Sequence, residues 1–494
     1  MTDRYAWWVI GIATVLRLVM AAIVPIVPDE AYYWEWSRHL AAGYFDHPPM
    51  IALIIRAGTL IAGDTAFGVR CIAVLIGSIA TVAAVALAQR FGGTVAARRA
   101  AWAVLAMPLA GAGLVLATPD VPLLAALAIG LLAVDLAIRS SDTGPRLASL
   151  GWWIVAGLAL GCGMDSKYTA VLFGAGIALA LVARQDLRVQ WRYPGPYVAI
   201  VVAALVFLPV VFWNETHQWV SFRFQLSHGL VPKGHSTVIG RELSLLGGQL
   251  GLVSPILFVL IICAVARALR RSQPTRVFVV AAVATFLAAF FLYSATRRSV
   301  EPNWLAPAVL AGTIVWAAKR TIFTGWEKAG LALGVALVAA IYVQVIVPWL
   351  PLPARRDPTA QGAGWASMAR EIDGMRQNAW IATNRYQDAA ELAFHLKGHP
   401  TVFSLNLGGR PNEYDLWPQV SDKAHVGDTL LVVIPDEANT PDAIIALLPH
   451  CGSMARGESV ELRRGREVIG TRRIWTCAGW LGTPLPRTIY NSST

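Results

Sequence analysis

Two adjacent acids, Asp29 and Glu30, stand where the first apolar run of the chain ends. Ionised carboxylates so close to lipid are costly, so a carboxylate kept there is a candidate for function. Such a group can accept the proton of a hydroxyl as that hydroxyl attacks a second substrate. We therefore predict Asp29 as a general base, with Glu30 beside it. The alternative is structural, with Asp29 accepting backbone N–H groups as the N-cap of the following helix.

A further acid, Asp120, lies between two prolines in the stretch TPDVP, residues 118–122. This stretch falls at a turn between two apolar runs, on the side of the membrane predicted for Asp29. We expect the two carboxylates to face one pocket. Because Asp120 also stands where a helix should begin, the alternative is again an N-cap.

Several cations are predicted on the same side and suit a lipid-linked phosphate. They are Lys167 in the stretch GMDSKY, the pair Arg297 and Arg298, and Lys233 in a second long loop. Phosphate contact is one interpretation of Lys167. The other is a lysine that extends its side chain to the membrane interface without touching a ligand.

His47 follows Asp46 and precedes Pro48 and Pro49. Regular helix cannot pass through the two prolines, so the segment is expected to form a fixed turn that shapes the pocket. A histidine beside an acid is also a common structural hydrogen-bonding group, and that alternative stays open for His47.

The composition requires a membrane scaffold for these residues. The chain has 494 residues, of which 56% are hydrophobic and 14% charged, and it contains 19 Trp. Apolar runs long enough to span a bilayer give about eleven transmembrane helices before residue 350. The net charge of +11 falls in short clusters between these runs rather than on one face, which argues against nucleic acid as a partner.

The basic clusters predict the orientation. They occupy every second connection, so the positive-inside rule places them and the N-terminus in the cytoplasm. Residues 28–64, residues 214–248 and everything after residue 350 are then external. Residues 30–40 are predicted to form a helix at the membrane interface, while the basic loop 214–248 is either a lid or plain solvated surface.

Hydropathy falls after residue 350, and the pattern changes to short strands and helices. We predict a transmembrane domain over residues 1–350 and an external α/β domain over residues 351–494, with strands at residues 379–383, 401–404 and 428–434. Cys451 and Cys477 lie in this external region and are a candidate disulfide, the alternative being two buried thiols.

Five stretches together resemble a known family: DEAYYW (29–34), YFDHPP (44–49), TPD (118–120), SKYT (166–169) and EPNW (301–304). They resemble the bacterial branch of the protein O-mannosyltransferase and aminoarabinose-transferase family, glycosyltransferases of the GT-C fold (glycosyltransferase family 39). The resemblance spans most of the chain.

This resemblance implies an inverting transfer of a sugar from a polyprenyl phosphate, without a nucleotide sugar or other cofactor. It implies Asp29 as base, Asp120 as the second acid and Lys167 as a contact of the donor phosphate. Tyr32, His47, Arg297, Arg298 and Glu301 are the further candidates for substrate contact. No metal ligand set is predicted, although a divalent ion is not excluded by the sequence.

The acceptor is left open between two classes. Eukaryotic protein mannosyltransferases carry a large external domain inserted between spans, and this chain has only its C-terminal region. We therefore expect lipid A, the lipopolysaccharide core or another envelope glycolipid, acted on at the periplasmic face of a bacterial inner membrane. The alternatives are a protein O-glycosyltransferase and a transporter that moves polyprenyl-linked glycans without chemistry.

Overall fold

The computed structural model describes residues 3–143, 146–231, 237–270, 272–318, 323–353, 356–437 and 440–485. Its α-helices in chain order are α1 (Arg4–Ile23), α2 (Pro28–Arg38), α3 (Met50–Ala62), α4 (Ala66–Ala106), α5 (Pro108–Gly111), α6 (Asp120–Thr143), α7 (Arg146–Met164), α8 (Val171–Ala183), α9 (Gly195–Thr216), α10 (Val220–Leu230), α11 (Val238–Val253), α12 (Pro255–Ala268), α13 (Thr275–Arg297), α14 (Ala306–Ala317), α15 (Gly325–Ile346), α16 (Trp365–Arg376), α17 (Tyr386–His395), α18 (Val420–Lys423) and α19 (Asp442–Leu447). Its strands are β1 (Trp380–Thr383), β2 (Val402–Ser404), β3 (Leu430–Pro435), β4 (Cys451–Arg464) and β5 (Glu467–Trp480).

The predicted fold class, a polytopic α-helical membrane protein with a C-terminal α/β region, is confirmed. Among the described residues, 7 helices are long and apolar enough to cross a membrane, or 8 if the pair α11 and α12, bent by 106°, forms one span. The predicted number of about eleven is not confirmed. Two of the apolar runs form helices of only 10–17 residues, Met50–Ala62 and Tyr168–Ala183.

The chain divides into two compact units. The first, here called the membrane unit, comprises Met1–Ala22 and Ala41–Val343. The second, the sheet unit, comprises Ile23–Leu40 and Gln344–Thr494. The short segment that carries Asp29 and Glu30 therefore belongs to the same unit as the C-terminal strands. The domain boundary predicted at residue 350 stays a prediction.

Small residues permit close helix packing in the membrane unit. A Cβ atom at Gly58 would lie 2.1 Å from the carbonyl oxygen of Gly68, so side chains are excluded where α3 approaches α4. Within α4, which is 41 residues long, Gly93 has a φ of 74° and interrupts the helix. Only glycine adopts that backbone conformation without strain. Further along, α6 packs against α4 and α7, and α7 packs against α9.

Ion pairs compensate charges of the basic connections in the membrane unit. Arg90 Nε lies 2.5 Å from Asp135 Oδ2, and Arg276 also pairs with Asp135. Arg99 and Glu327, both fully buried, are joined by a contact of 3.1 Å. Because a buried charge without a partner would be strongly destabilising, these pairs hold the helices in one arrangement.

Both segments predicted as external loops are largely helical. Residues 28–64 contain α2 and α3, and residues 214–248 contain α10 and much of α11. The connection from α9 to α10 is tight: Gln218 and Trp219 have φ values of 57° and 62°, and the N–H of Trp219 donates to the carbonyl oxygen of Asn214 at 2.6 Å. These two segments were predicted as loops because they are long and rich in polar residues, but most of their residues belong to helices. Lys233 lies outside the described residues.

The sheet unit is built on one five-stranded sheet in the order β2-β1-β3-β5-β4. Strands β1, β2 and β3 are parallel, whereas β3–β5 and β4–β5 are antiparallel. The three predicted strands correspond to β1, β2 and β3. The two longest strands, each of 14 residues, were missed because polar residues and Gly interrupt the apolar residues of both, so neither forms a continuous apolar run. Cys451 and Cys477, on β4 and β5, form a disulfide.

Helix α2, predicted over residues 30–40, is packed within the sheet unit. Its predicted place at the membrane surface stays a prediction. Eight of its residues, from Glu30 to Ser37, are buried. The ring of Trp34 lies 5.0 Å from that of Phe394 on α17, and Tyr32 lies 4.6 Å from Tyr386. The clustered aromatic residues that suggested an interfacial helix form part of a protein core in this unit.

Candidate active site

Three polar side chains meet in the membrane unit around Asp120. Lys167 Nζ lies 2.6 Å from Asp120 Oδ1, and the amide of Asn303 donates to Asp120 Oδ2 at 2.9 Å. The side chains of Lys167 and Asp120 are 14% and 17% exposed, so the ion pair is neither sealed nor fully solvated. Both carboxylate oxygens are held, which fixes the direction of the lysine ammonium group.

Each of the three residues comes from the end of a different helical element. Asp120 is the first residue of α6 and follows a turn in which the N–H of Val121 donates to the carbonyl oxygen of Thr118 at 3.1 Å. Lys167 follows α7 in extended conformation, with φ −149° and ψ 137°. Asn303 lies in the short 3-10 helix Pro302–Leu305. Helix ends place these side chains more rigidly than long loops would.

The structural alternative for Asp120, an N-cap, is wrong. The Asp120 carboxylate binds two side chains rather than the backbone N–H groups of its own helix. Lys167 donates to Asp120, and its predicted contact with a phosphate stays a prediction. Among the described residues, Lys167 donates one N–H group of its ammonium, to Asp120. Two of the three ammonium donors are therefore left for a ligand.

Asn303 was missed by the sequence analysis, which selected Glu301 from the same EPNW stretch. Glu301 is exposed and precedes the 3-10 helix, while Asn303 reaches Asp120. The sequence did contain a sign of Asn303, because its amide lies two residues from the candidate acid Glu301. The choice between Glu301 and Asn303 required knowing which of the two side chains the 3-10 helix directs towards Asp120.

The acids of α2 occupy different positions in the sheet unit. Val27, not Asp29, is the N-cap of α2, so the capping alternative for Asp29 is wrong. Asp29 is exposed in the first helical turn, where the helix dipole favours a negative charge. Glu30 is fully buried and accepts the N–H of Val27 at 3.3 Å. The helix start is therefore stabilised by Glu30, and Asp29 presents its carboxylate at the surface.

Asp29 and Asp120 belong to different compact units. The prediction that their carboxylates face one pocket stays a prediction, and so do the roles assigned to them.

The segment around His47 forms the short closed loop that its prolines predict. The N–H of Tyr44 donates to the carbonyl oxygen of His47 at 3.1 Å, and the Gln225 amide donates to the carbonyl oxygen of Asp46. The N–H of Met50, at the start of α3, donates to the carbonyl oxygen of Asp165 at 3.0 Å. The loop is thereby tied to the chain just before Lys167.

Asp165 is a second residue that the sequence analysis passed over. Its Oδ1 atom is buried and accepts no hydrogen bond from the described residues. Burial raises the pKa of the Asp165 carboxyl to about 7. It lies two residues before Lys167 and is a further titratable group beside the cluster.

The remaining candidate cations hold other partners. Arg297 Nη2 donates to the hydroxyl of Tyr293 at 3.0 Å, and its guanidinium lies 5.4 Å from the centre of that ring. Arg298 Nη1 donates to the carbonyl oxygen of Ser227 at 2.8 Å, which links the end of α13 to α10. Their predicted contact with a phosphate stays a prediction.

An apolar cavity lies within the membrane unit. Its walls come from α6, α7, α8 and α9 and include Ala126, Leu160, Phe173 and Ala199. Ala126 lies six residues after Asp120 on α6, about 9 Å along the helix axis. Asp120, Lys167 and Asn303 do not line this cavity.

Metal ligands are a separate question. Within the ranges that the structure describes, no group of three or more His, Cys, Asp and Glu side chains is placed to hold a metal ion.

Comparison with known proteins decides the family. The profile of the family Dolichyl-phosphate-mannose-protein mannosyltransferase matches residues 46–213. The lipid A galacturonosyltransferase RgtD of Rhizobium johnstonii is 30% identical over 403 residues, which cover 78% of this chain and 81% of RgtD. The chain belongs to the GT-C glycosyltransferases. The predicted resemblance and the predicted class of enzyme are thereby confirmed.

Solved structures confirm the GT-C fold along almost the whole chain. The apo structure of ArnT from Cupriavidus metallidurans matches with a TM-score of 0.68 at 17% identity, covering 96% of this chain and 98% of ArnT. The structure of the same ArnT bound to undecaprenyl phosphate matches with a TM-score of 0.69 at 16% identity, covering 98% and 100%. The GT-C fold therefore extends over both compact units.

Proposed function

We propose that this glycosyltransferase moves a sugar from a polyprenyl-phosphate donor to lipid A or a related envelope glycolipid, with inversion at the anomeric carbon. The observation that carries the proposal is the Asp120, Lys167 and Asn303 cluster in the membrane unit. An ammonium group held at one place suits a phosphate.

Lys167 is the proposed contact of the donor phosphate. As the bond between the anomeric carbon and the phosphate oxygen breaks, negative charge builds up on the departing polyprenyl phosphate. A pre-positioned ammonium group stabilises that charge without reorganisation. Asp120 and Asn303 act through Lys167 as positioning residues, because they hold its ammonium group in place.

Asp29 is the proposed general base. The acceptor hydroxyl attacks the anomeric carbon, a new glycosidic bond forms, the bond to the phosphate breaks, and the hydroxyl proton passes to the Asp29 carboxylate. Its exposed position in the first turn of α2 leaves the carboxylate accessible to an acceptor. If the acceptor atom belongs to a phosphate, no proton needs to be removed, and Asp29 would orient the acceptor instead.

The acceptor class is proposed from relatives. RgtD is a lipid A galacturonosyltransferase, and it is similar to this chain over most of both lengths. Lipid A is therefore the first acceptor to test, and a polyprenyl phosphate carrying galacturonic acid is the first donor. The alternation of basic connections supports action at the periplasmic face of a bacterial inner membrane, with the N-terminus in the cytoplasm.

The test is sugar transfer by the purified full-length chain in proteoliposomes. The donor is a polyprenyl phosphate carrying galacturonic acid, the acceptor is lipid A, and the lipids are analysed by mass spectrometry. We expect donor consumption and a glycosylated acceptor with inverted configuration. Lys167→Ala should abolish most of this transfer, whereas Lys328→Ala, at an exposed lysine of the same unit, should not affect it.

The alternatives give different outcomes in the same assay. A transporter would change the sidedness of the donor without consuming it. A protein O-glycosyltransferase would consume the donor only when envelope protein replaces lipid. Failure to consume any polyprenyl-linked sugar with lipid or protein acceptors would sink the proposal.

A further inference from the structure

Two stretches of the sheet unit to which the sequence analysis gave no role lie side by side. Asn384–Gln387 follows β1 and Leu405–Arg410 follows β2. The Asn384 amide donates to the carbonyl oxygen of Leu407 at 3.1 Å and accepts the N–H of Leu407 at 2.7 Å. The two loops are thus joined at the carboxyl ends of neighbouring parallel strands, where open sheets bind their ligands.

This edge concentrates hydrogen-bond donors. Arg385 is exposed and has no ion-pair partner among the described residues. Arg410 is also exposed; its guanidinium lies 5.0 Å from the centre of the Tyr386 ring, and its Nη2 donates to the Tyr386 hydroxyl at 2.9 Å. The backbone N–H groups of Gly408 and Gly409 find no acceptor in the described part of the chain.

The second loop leaves two backbone donors open. Asn406 and Gly408 have φ values of 47° and 79°. The Leu407 N–H donates to the Asn384 side chain, so the donors that remain for an anion are the N–H groups of the exposed Gly408 and Gly409. Asn406 is held in this conformation because its amide donates to Asp415 Oδ2 at 2.6 Å and to the carbonyl oxygen of Arg410 at 2.9 Å.

Ser404 adds an unsatisfied polar group at the same edge. The Thr383 hydroxyl donates to the carbonyl oxygen of Arg385, so the Thr383 side chain lies on the sheet face where α17 begins. Ser404 is the register partner of Thr383, and paired residues of neighbouring strands point to the same face. Its hydroxyl is buried, at 2% exposure, and has no hydrogen-bond partner among the described residues.

The aromatic side of this edge leads to the helix of Asp29. The Tyr386 ring is 4.6 Å from Tyr32, and Tyr32 Oη accepts the N–H of Glu413 at 2.7 Å. Tyr32 follows Asp29 by three residues on α2, about 4.5 Å along the helix axis and on a neighbouring part of its surface. A group bound at Arg385 and Arg410 would therefore be adjacent to the helix that carries the proposed base.

We propose that the loops after β1 and β2 bind a phosphate monoester carried on a sugar, the headgroup chemistry of the acceptor. Arg385, Arg410 and the two glycine N–H groups bind the phosphate, and the half-buried Tyr386 ring packs on the sugar. Guanidinium groups recognise phosphate oxygens in pairs, and a ring fixed under Arg410 orients that guanidinium. This inference rests on the proposed function, because it names how the acceptor is recognised.

The test compares the variant Arg385→Ala/Arg410→Ala with the wild type in proteoliposomes, using bisphosphorylated and dephosphorylated lipid A as acceptors. We expect the KM for bisphosphorylated lipid A to rise about 10- to 100-fold, since hydrogen bonds to a charged group are lost. The kcat should stay within about threefold, and the KM for dephosphorylated lipid A should not change. Arg466→Ala, at an exposed arginine in the β4–β5 hairpin, is the matched control.

Binding is measured separately from turnover. A water-soluble phosphorylated glucosamine disaccharide is titrated into the full-length chain and followed by calorimetry, with inorganic phosphate as the second probe. The disaccharide should bind to the wild type and to Arg466→Ala, and should bind at least about tenfold more weakly to the double variant.

Three outcomes would overturn the inference. These are a double variant that behaves like Arg466→Ala, a KM that rises equally for both forms of lipid A, and inorganic phosphate that binds as tightly as the disaccharide. Absence of transfer by the wild type would instead contradict the proposed function, and the calorimetric comparison would still decide whether the subsite exists.

Discussion

The two compact units hold their carboxylates differently. In the membrane unit Asp120 is bound by a lysine and an asparagine, so its charge is matched and its position fixed. In the sheet unit Asp29 is exposed on the first turn of α2, while Glu35 of the same helix is buried beside Arg38. The paired carboxylate of Asp120 is suited to positioning Lys167, whereas the exposed carboxylate of Asp29 is accessible to an acceptor, as the proposed base must be.

The largest expected effect comes from removing the proposed base. Asp29→Asn keeps the size of the side chain but cannot accept a proton, so transfer to a hydroxyl acceptor should fall by about 100- to 10,000-fold with donor binding retained. The measurement is the initial rate of lipid modification. Asp442→Asn, at another exposed aspartate in the first turn of a helix of the sheet unit, should keep the wild-type rate. If Asp29→Asn transfers sugar as fast as Asp442→Asn does, Asp29 is not the base.

Removing the cation of the other unit should have the next largest effect. Lys167→Ala takes away the stabilisation of the departing phosphate, and we expect kcat to fall by about 100- to 1,000-fold. Asp120→Ala combined with Lys167→Ala should be little worse than Lys167→Ala alone, because Asp120 acts through Lys167. Additive losses in this double-mutant cycle would show that Asp120 has a chemical role of its own.

The buried carboxyl of the sheet unit should make stability depend on pH. Burial raises the pKa of Glu35 from 4.5 to about 7, against the opposing effect of Arg38. The folded state then binds the proton more tightly than the unfolded state does. Its stability is therefore full below pH 4.5, falls as pH rises to about 7, and is constant above.

Glu35→Gln should remove this dependence and stabilise the chain at pH 8 by on the order of 2 kcal/mol. The measurement is the Tm between pH 5 and 8, with Glu371→Gln, at an exposed position of the same unit, as control. A Tm profile that is unchanged in Glu35→Gln would show that Glu35 is ionised in the folded chain at neutral pH.

A smaller effect is expected for Asn303→Ala. The variant loses one hydrogen bond to the Asp120 carboxylate and leaves the ion pair, so the transfer rate should fall by about tenfold. Kinetics with the acceptor varied should place the loss in kcat rather than in the KM for the acceptor. Glu301→Ala, in the same stretch, should have no effect, and a larger loss there than in Asn303→Ala would restore the residue chosen from the sequence.

The smallest effect, none beyond measurement error, is expected on removal of divalent metal ions. Lys167 supplies the positive charge at the proposed phosphate position, so catalysis needs no added metal ion. Transfer should be equal with excess chelator and with added magnesium or manganese. A rate that falls with chelator and returns with metal would show that the acids of one of the two units bind a cation.

The sequence by itself determined the membrane class, the GT-C family and the residues worth testing, because these follow from composition, long apolar runs and short motifs. It also indicated the turn at His47, since two prolines exclude helix there whatever surrounds them. Strands β1 to β3 were predictable because they are largely continuous apolar runs, whereas β4 and β5 have interrupted patterns and form a hairpin that joins the sheet through the pairing of β5 with β3.

Only the tertiary structure decided which partners each residue has. The sequence proposed Asp120 and Lys167 separately, but their separation of 47 positions gives no sign that they form an ion pair, or that Asn303 joins them. Likewise, the aromatic residues of α2 suit a membrane interface as well as a protein core, and α17 with its neighbours decided for the core. Local pattern reports what a segment can do, and contacts between distant segments select one of those possibilities.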